Sequence, residues 1–134
     1  MSETKVMTAE EAVAAFVHDG DCLALGGFST NRRAYGLVRE IIRQKKRGLC
    51  LESGSAGGDA DMLIGAGCVA VMNISYIANS GFTMVCRRFR DAVEKGTLPV
   101  EDYSLDVQTI AYHAAALGLS YVAVKNMLGS DLEK

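Results

Sequence analysis

The sequence predicts an α/β fold: an open, mostly parallel sheet flanked by helices. Amphipathic stretches of helical period alternate with short apolar runs along most of the chain. Glycines close the helix-length segments and separate them from the runs that follow. Two loops rich in Gly and Ser, residues 26–31 and 52–58, follow apolar runs directly. Parallel sheets bind their ligands at such places, beyond the carboxyl ends of the strands.

The elements follow in order. Thr8-Ala9-Glu10-Glu11 is a capping-box pattern. It opens a helix with Ala12, Val13, Phe16 and Val17 on one side, and Gly20 ends it. Cys22–Leu25 reads as a buried strand. A helix from about Arg33 to Lys46 turns Leu37, Val38, Ile41 and Ile42 inward, and the strand Leu49–Leu51 follows Gly48. Asp59–Ala66 is a short helix and Cys68–Ile74 a buried strand. Ser80 or Thr83 starts a helix to about Lys95, closed by Gly96. Ser104–Leu117 is an alanine-rich helix closed by Gly118, with His113 expected to pack inside. Tyr121–Val124 is read as the last strand, giving the order αβαβαβααβ.

The chain has 134 residues, enough for one domain (residues 1–134) with a single core. Hydrophobic residues make up 49% and charged residues 22%, the balance of a folded soluble protein rather than a disordered one. A net charge of −2 gives no argument for nucleic acid or an anionic membrane surface. The opening MSETKVMTAEEA has no apolar core of a signal segment, and no stretch reaches the length of a spanning helix. A cytoplasmic location is therefore expected. The cysteines, Cys22, Cys50, Cys68 and Cys86, form no CxxC pair and are expected to be free, with Cys22, Cys50 and Cys68 buried inside apolar runs. With His18 and His113 lacking ligand spacing, no metal site is expected.

Three segments carry candidate chemistry. Gly26-Gly27-Phe28 follows a strand, so its backbone N–H groups can approach a phosphate or an oxyanion; a tight strand-to-helix turn explains it equally. It is neither a GxxxxGK[ST] loop nor a GxGxxG fingerprint. Glu52-Ser53-Gly54 places a carboxylate at the mouth of a sheet, where partial desolvation raises its nucleophilicity toward a carbonyl. The competing reading is a strand-end Glu paired with an Arg. Asn79-Ser80-Gly81 suits carboxylate binding at a helix N-terminus, or Ser80 is a plain cap. Basic residues cluster at Arg32–Arg33, Lys45–Arg47 and Arg87–Arg90; solvated helix faces explain such clusters, while the first and last can also face an anionic ligand, with Arg88 or Arg90 able to reach an acidic or phosphate-bearing substrate.

Read together, the blocks DGDCLALGGF, AGGDADMLIGAG, ANSGFTMVCRRFRDAVEKGTL, EDYSLDVQTIAYHAAALGL and MLGSDL resemble the A-type subunits of family I CoA-transferases, the glutaconate CoA-transferase branch in particular. The resemblance runs over roughly residues 5–132. It implies the open α/β fold shared with ribose-5-phosphate isomerase. It implies ping-pong transfer of CoA between an acyl-CoA and a free carboxylic or dicarboxylic acid through a glutamyl-CoA thioester. CoA is then substrate and covalent intermediate, with no permanently bound cofactor. The family pattern places oxyanion donors at Gly26, Gly27 and Phe28 and a substrate-carboxylate contact at Ser80. It usually puts the nucleophilic glutamate, in Glu-Ser-Gly or Glu-Asn-Gly, on the B-type subunit; here Glu52-Ser53-Gly54 stands in an A-type chain. Glu52 is thus the nucleophile or a pseudo-equivalent supporting residue. The family's A-type chains are longer, so a truncated chain is expected. Partners are expected too: a B-type subunit of the CoA-transferase, further copies of this chain, or both. A CoA-binding or sugar-phosphate-binding module without chemistry and an acyl-CoA hydrolase are the competing readings.

Overall fold

Four parallel strands follow one another across one sheet in the order β1-β2-β3-β4. The computed structural model describes residues 5–133. The strands are β1 (Cys22–Ala24), β2 (Leu49–Ser53), β3 (Val69–Ile74) and β4 (Val100–Asp102). Helices α1 (Ala9–Phe16), α2 (Tyr35–Arg43), α3 (Gly58–Gly65) and α4 (Arg87–Glu94) precede or link them, and α5 (Leu105–Ala116) follows β4. Successive crossovers of the same hand place their helices on one face of a sheet. Accordingly α2 packs between α1 and α3, and α3 against α4.

That face holds the core. Alternation along β2 sends Leu49, Leu51 and Ser53 into it, all fully buried, while Cys50 and Glu52 point to the other face and are half-buried. Val13, Val38, Ile41, Leu63 and Met72 complete the centre. On the other face, α5 crosses near the strand carboxyl ends and brings Gln108 to β3.

The expected open parallel sheet is present, with differences in detail. Thr8 forms the capping box with Glu11. Phe16, expected inside, is 69% exposed, because only Val13 of α1 reaches the core. Leu37 is also partly exposed, at 43%. Residues 79–83 form a turn instead of a helix start: the Asn79 carbonyl accepts from Phe82 and Thr83, and α4 begins after Cys86. Tyr121–Val124 is not a strand, and Tyr121 is 85% exposed. The edge beside β3 is taken by β4, a segment masked in the sequence by Pro99 and two acidic residues of low strand propensity. His113 lies on the exposed side of α5. The cysteines are free as expected, but Cys22 is exposed and Cys50 only half-buried, since both sit on the less covered face. Cys68 and Cys86 are buried.

The two glycine-rich loops lie against each other. A Cβ on Gly57 would overlap the Ser29 carbonyl oxygen, so only glycine allows this approach. Gly57→Ala should cost about 1–3 kcal/mol by forcing the loops apart, read as a lower urea midpoint with an unchanged m-value.

Candidate active site

Glu52 leaves β2 on the face that α5 crosses. The Asn73 Nδ2 donates to its Oε1, and the Gln108 Nε2 lies 3.5 Å from its Oε2. The strand register explains the first contact, because Glu52 and Asn73 are direct partners on β2 and β3. Gln108 is 3% exposed and fixed on several sides. It accepts from Ser75 Oγ at 2.6 Å and donates to the Asn73 carbonyl at 3.2 Å. None of the ion pairs among the described residues includes Glu52. The strand-end pairing with an Arg is therefore replaced by an amide cradle.

Glu52, Asn73, Gln108 and Tyr112 line a cavity of about 360 Å³. Tyr112 also lines an adjoining cavity of about 340 Å³ with Gly26, Gly27, Gly54 and Ser55. One phenol thus stands between the carboxylate and the glycine loop. Burial of the Tyr112 hydroxyl raises its pKa, and the nearby Glu52 and Cys22 act in the same direction. The group remains a proton-bearing donor at neutral pH. Desolvation pushes the Cys50 thiol up to about 11, with Cys22 and Glu52 beside it adding to the rise. Cys50 is accordingly no thiolate nucleophile at neutral pH.

The glycine loop has a defined shape. Gly27 has φ 99°, and a Cβ there would lie 2.7 Å from the carbonyl oxygens of Asn31 and Arg32. Phe28 donates its N–H to the Asn31 carbonyl at 3.1 Å and accepts from Asn31 at 2.8 Å, closing a turn. The N–H groups of Gly26 and Gly27 have no such partner among the described residues. The Phe28 ring is 58% exposed.

Arg33 holds this loop to its neighbour. Its side chain is fully buried and pairs with Asp59 at 3.4 Å. It donates to Ser29 O at 2.5 Å, to Gly26 O at 3.0 Å and to Ser55 O. The Arg32–Arg33 cluster therefore does not present two free cations to a ligand.

The other expected site residues distribute as follows. Ser53 Oγ donates to the Leu25 carbonyl at 3.0 Å and is wholly buried, tying β2 to the end of β1. Gly54 lets Leu105 of α5 approach: a Cβ there would sit 3.1 Å from Leu105 Cδ1. Ser80 Oγ lies 2.7 Å from Ser29 Oγ and 3.4 Å from Tyr76 Oη, at the wall of a separate cavity of about 500 Å³. Asn79 makes the adjoining turn. The stem of Arg88 runs along Gly65 of α3, on the core face, so the sheet separates it from Glu52. The structure joins Glu52 and the glycine loop through Tyr112, and it joins Ser80 to that loop through Ser29. Arg88 it leaves apart.

Asn73, Gln108 and Tyr112 carry no site expectation from the sequence, and Arg33 enters only as half of the Arg32–Arg33 pair. A signal existed for two of them. Gln108 and Tyr112 stand four residues apart in an alanine-rich helix, on one face of it. The parallel register also brings Cys22, Cys50 and Glu52 together, with their ligand atoms within 4.8 Å of one another.

Comparison with known proteins bears on this arrangement. The coenzyme A transferase family matches residues 6–134. The chain belongs to that family. It is 53% identical over 129 residues to the A-type subunit of glutaconate CoA-transferase from Acidaminococcus fermentans, covering 96% of this chain and 40% of that protein. It is 39% identical over 133 residues to the A-type subunit of 3-oxoadipate CoA-transferase from Pseudomonas knackmussii, covering 97% of this chain and 46% of that one. The crystal structure of glutaconate coenzyme A-transferase from A. fermentans superposes with a TM-score of 0.92 at 53% identity, over 96% of this chain and 41% of that chain. This coenzyme A transferase chain thus spans less than half the length of those relatives. No helix among its described residues is long and apolar enough to cross a membrane.

Proposed function

We propose that this chain is the A-type component of a CoA-transferase that moves CoA between an acyl-CoA and a free carboxylic acid, with Glu52 as the nucleophile. The observation that carries the reading is the placement of Glu52 in a cavity that shares Tyr112 with the glycine-loop cavity. Relatives named as A-type CoA-transferase subunits support the reaction class, and the glutaconate-type similarity supports a dicarboxylic acid.

The chemistry balances without a metal or redox step. A Glu52 oxygen attacks the thioester carbonyl, the C–S bond breaks, and CoA leaves as a thiolate. The acyl group is now held as an anhydride. The thiolate attacks the glutamyl carbonyl, the anhydride C–O bond breaks, and the first acid departs. A second acid attacks the glutamyl thioester and the two steps run in reverse. Each addition makes an oxyanion, and the unpaired N–H groups of Gly26 and Gly27 are its candidate donors. Phe28 contributes the turn that holds them, through its bonds with Asn31. Asn73 and Gln108 keep the carboxylate aimed. Ser53 and Gly54 set the strand end and the approach of α5. Ser80, joined to the glycine loop through Ser29, is the candidate contact for the far end of the acid, with Asn79 shaping the turn beside it. Arg88, on the other face, takes no part in this site.

One observation favours a second reading. Side-chain amides face both oxygens of Glu52, an arrangement that also suits a positioning residue beside a nucleophile from a B-type partner. Trapping separates the two. The protein, together with a B-type partner, is incubated with an acyl-CoA of a dicarboxylic acid, reduced with borohydride, and mapped by mass spectrometry. Reduction at Glu52 is the expected result. A label confined to the partner would make Glu52 the positioning residue, and turnover without acceptor acid would point to a hydrolase.

A further inference from the structure

The register of β1 on β2 creates a group of donors that no sequence motif announces. Cys22 and Cys50 are direct partners across the parallel pair, and Glu52 stands two residues beyond Cys50 on the same face. Their Sγ, Sγ and carboxylate oxygen atoms lie within 4.8 Å of one another. Zinc–thiolate bonds of about 2.3 Å in a tetrahedron set the two sulfurs roughly 3.8 Å apart. Side-chain rotation of less than about 1 Å closes that gap. We propose that this face of the sheet binds one thiophilic divalent cation of the zinc class through Cys22 Sγ, Cys50 Sγ and Glu52.

Two further features support the assignment. Asn73 is placed as an outer partner: its Nδ2 donates to Glu52 Oε1 and lies 3.9 Å from Cys50 Sγ. Ligating carboxylates are oriented by such amide bonds in metal sites. Cys22 is exposed, so an ion has a path in and a fourth position remains for water. Two sulfurs and one oxygen select zinc, cadmium or cobalt over magnesium or calcium. Binding releases the two thiol protons to solvent and leaves the carboxylate as it is. The proposal stands on the register and does not depend on the transferase reading. If both hold, an ion at this place occupies the carboxylate that acyl transfer needs, so zinc and substrate exclude one another.

The test titrates the reduced, metal-free protein with cobalt(II) chloride. The expected result is thiolate-to-cobalt charge-transfer absorption that saturates at one ion per chain and disappears on adding zinc chloride. Cys22→Ser and Cys50→Ser should each remove the band or weaken binding by more than the roughly 100-fold that loss of an outer partner can cost, and Glu52→Gln should weaken it at least about 10-fold. Cys68→Ser and Cys86→Ser, buried positions outside the cluster, should leave the band intact. Thermal melting and circular dichroism confirm that each variant is folded. A band that survives in the Cys22→Ser/Cys50→Ser double variant would overturn the proposal. So would the absence of any charge-transfer band in folded protein whose thiols titrate as free.

Discussion

Glu52→Gln should slow CoA exchange by about 10³-fold or more while leaving the fold intact. Removing a covalent nucleophile removes the low-energy route itself, so the loss falls on kcat and not on KM alone. The substitution is nearly isosteric. It sets a new amide against those of Asn73 and Gln108, where two donors would face each other. A flip of the Asn73 amide resolves this, because its Oδ1 has no hydrogen-bond partner and can accept from the new group. Stability should therefore change little. Steady-state assay of thioester transfer, with urea unfolding beside it, reads both quantities. Activity within a few fold of the parent would show that the nucleophile is on another chain. Equal falls in activity and stability would make Glu52 a structural residue.

The layout of the sheet was legible because its signals are local. The Thr8–Glu11 box, the inward period of α2 and the apolar runs of β2 and β3 each lie within a few residues of sequence. The errors arose where long-range pairing decides. Val100–Asp102 has one strand former beside two acidic residues and follows a proline, yet it pairs with β3 because that edge is open and the chain returns to it. Tyr121–Val124 has the composition of a strand and no partner. The site divides in the same way. Glu52 and the two glycines could be found as residues at the carboxyl ends of apolar runs, although Glu52 proves to lie within β2. Asn73 and Gln108 become visible only when the register and the crossing of α5 are known. Cys22 and Cys50 are far apart in sequence, so spacing rules for metal ligands do not detect them, whereas direct pairing of parallel strands puts them side by side. Arg33 read as half of a basic surface pair, but the two loops it joins close over it.

The same residue sets the largest expected effect on stability. Asp59→Ala should destabilise the protein by about 3–5 kcal/mol, because it strips the counter-charge from a guanidinium that has no access to water. Arg33 must then either stay buried and unpaired or leave, and leaving breaks its bonds to Gly26, Ser29 and Ser55. Those bonds hold a loop in which Ser29 and Arg32 have φ of 47° and 55°, values that side-chain-bearing residues adopt only under constraint. The free N–H groups of Gly26 and Gly27 lie in this same loop. Stability and catalysis can be separated by replacing both partners, Arg33→Met with Asp59→Leu. A buried ion pair exchanged for apolar side chains of similar volume commonly costs little. Urea unfolding should thus find the double variant more stable than Asp59→Ala, yet below the parent, because the Gly26, Ser29 and Ser55 carbonyls lose their donor. Its transfer activity should stay low, since no apolar side chain can bond three carbonyls at once. Activity that returned together with stability would show that the pair only fills the core. Activity that stayed low in a stable protein would show that Arg33 positions the oxyanion donors.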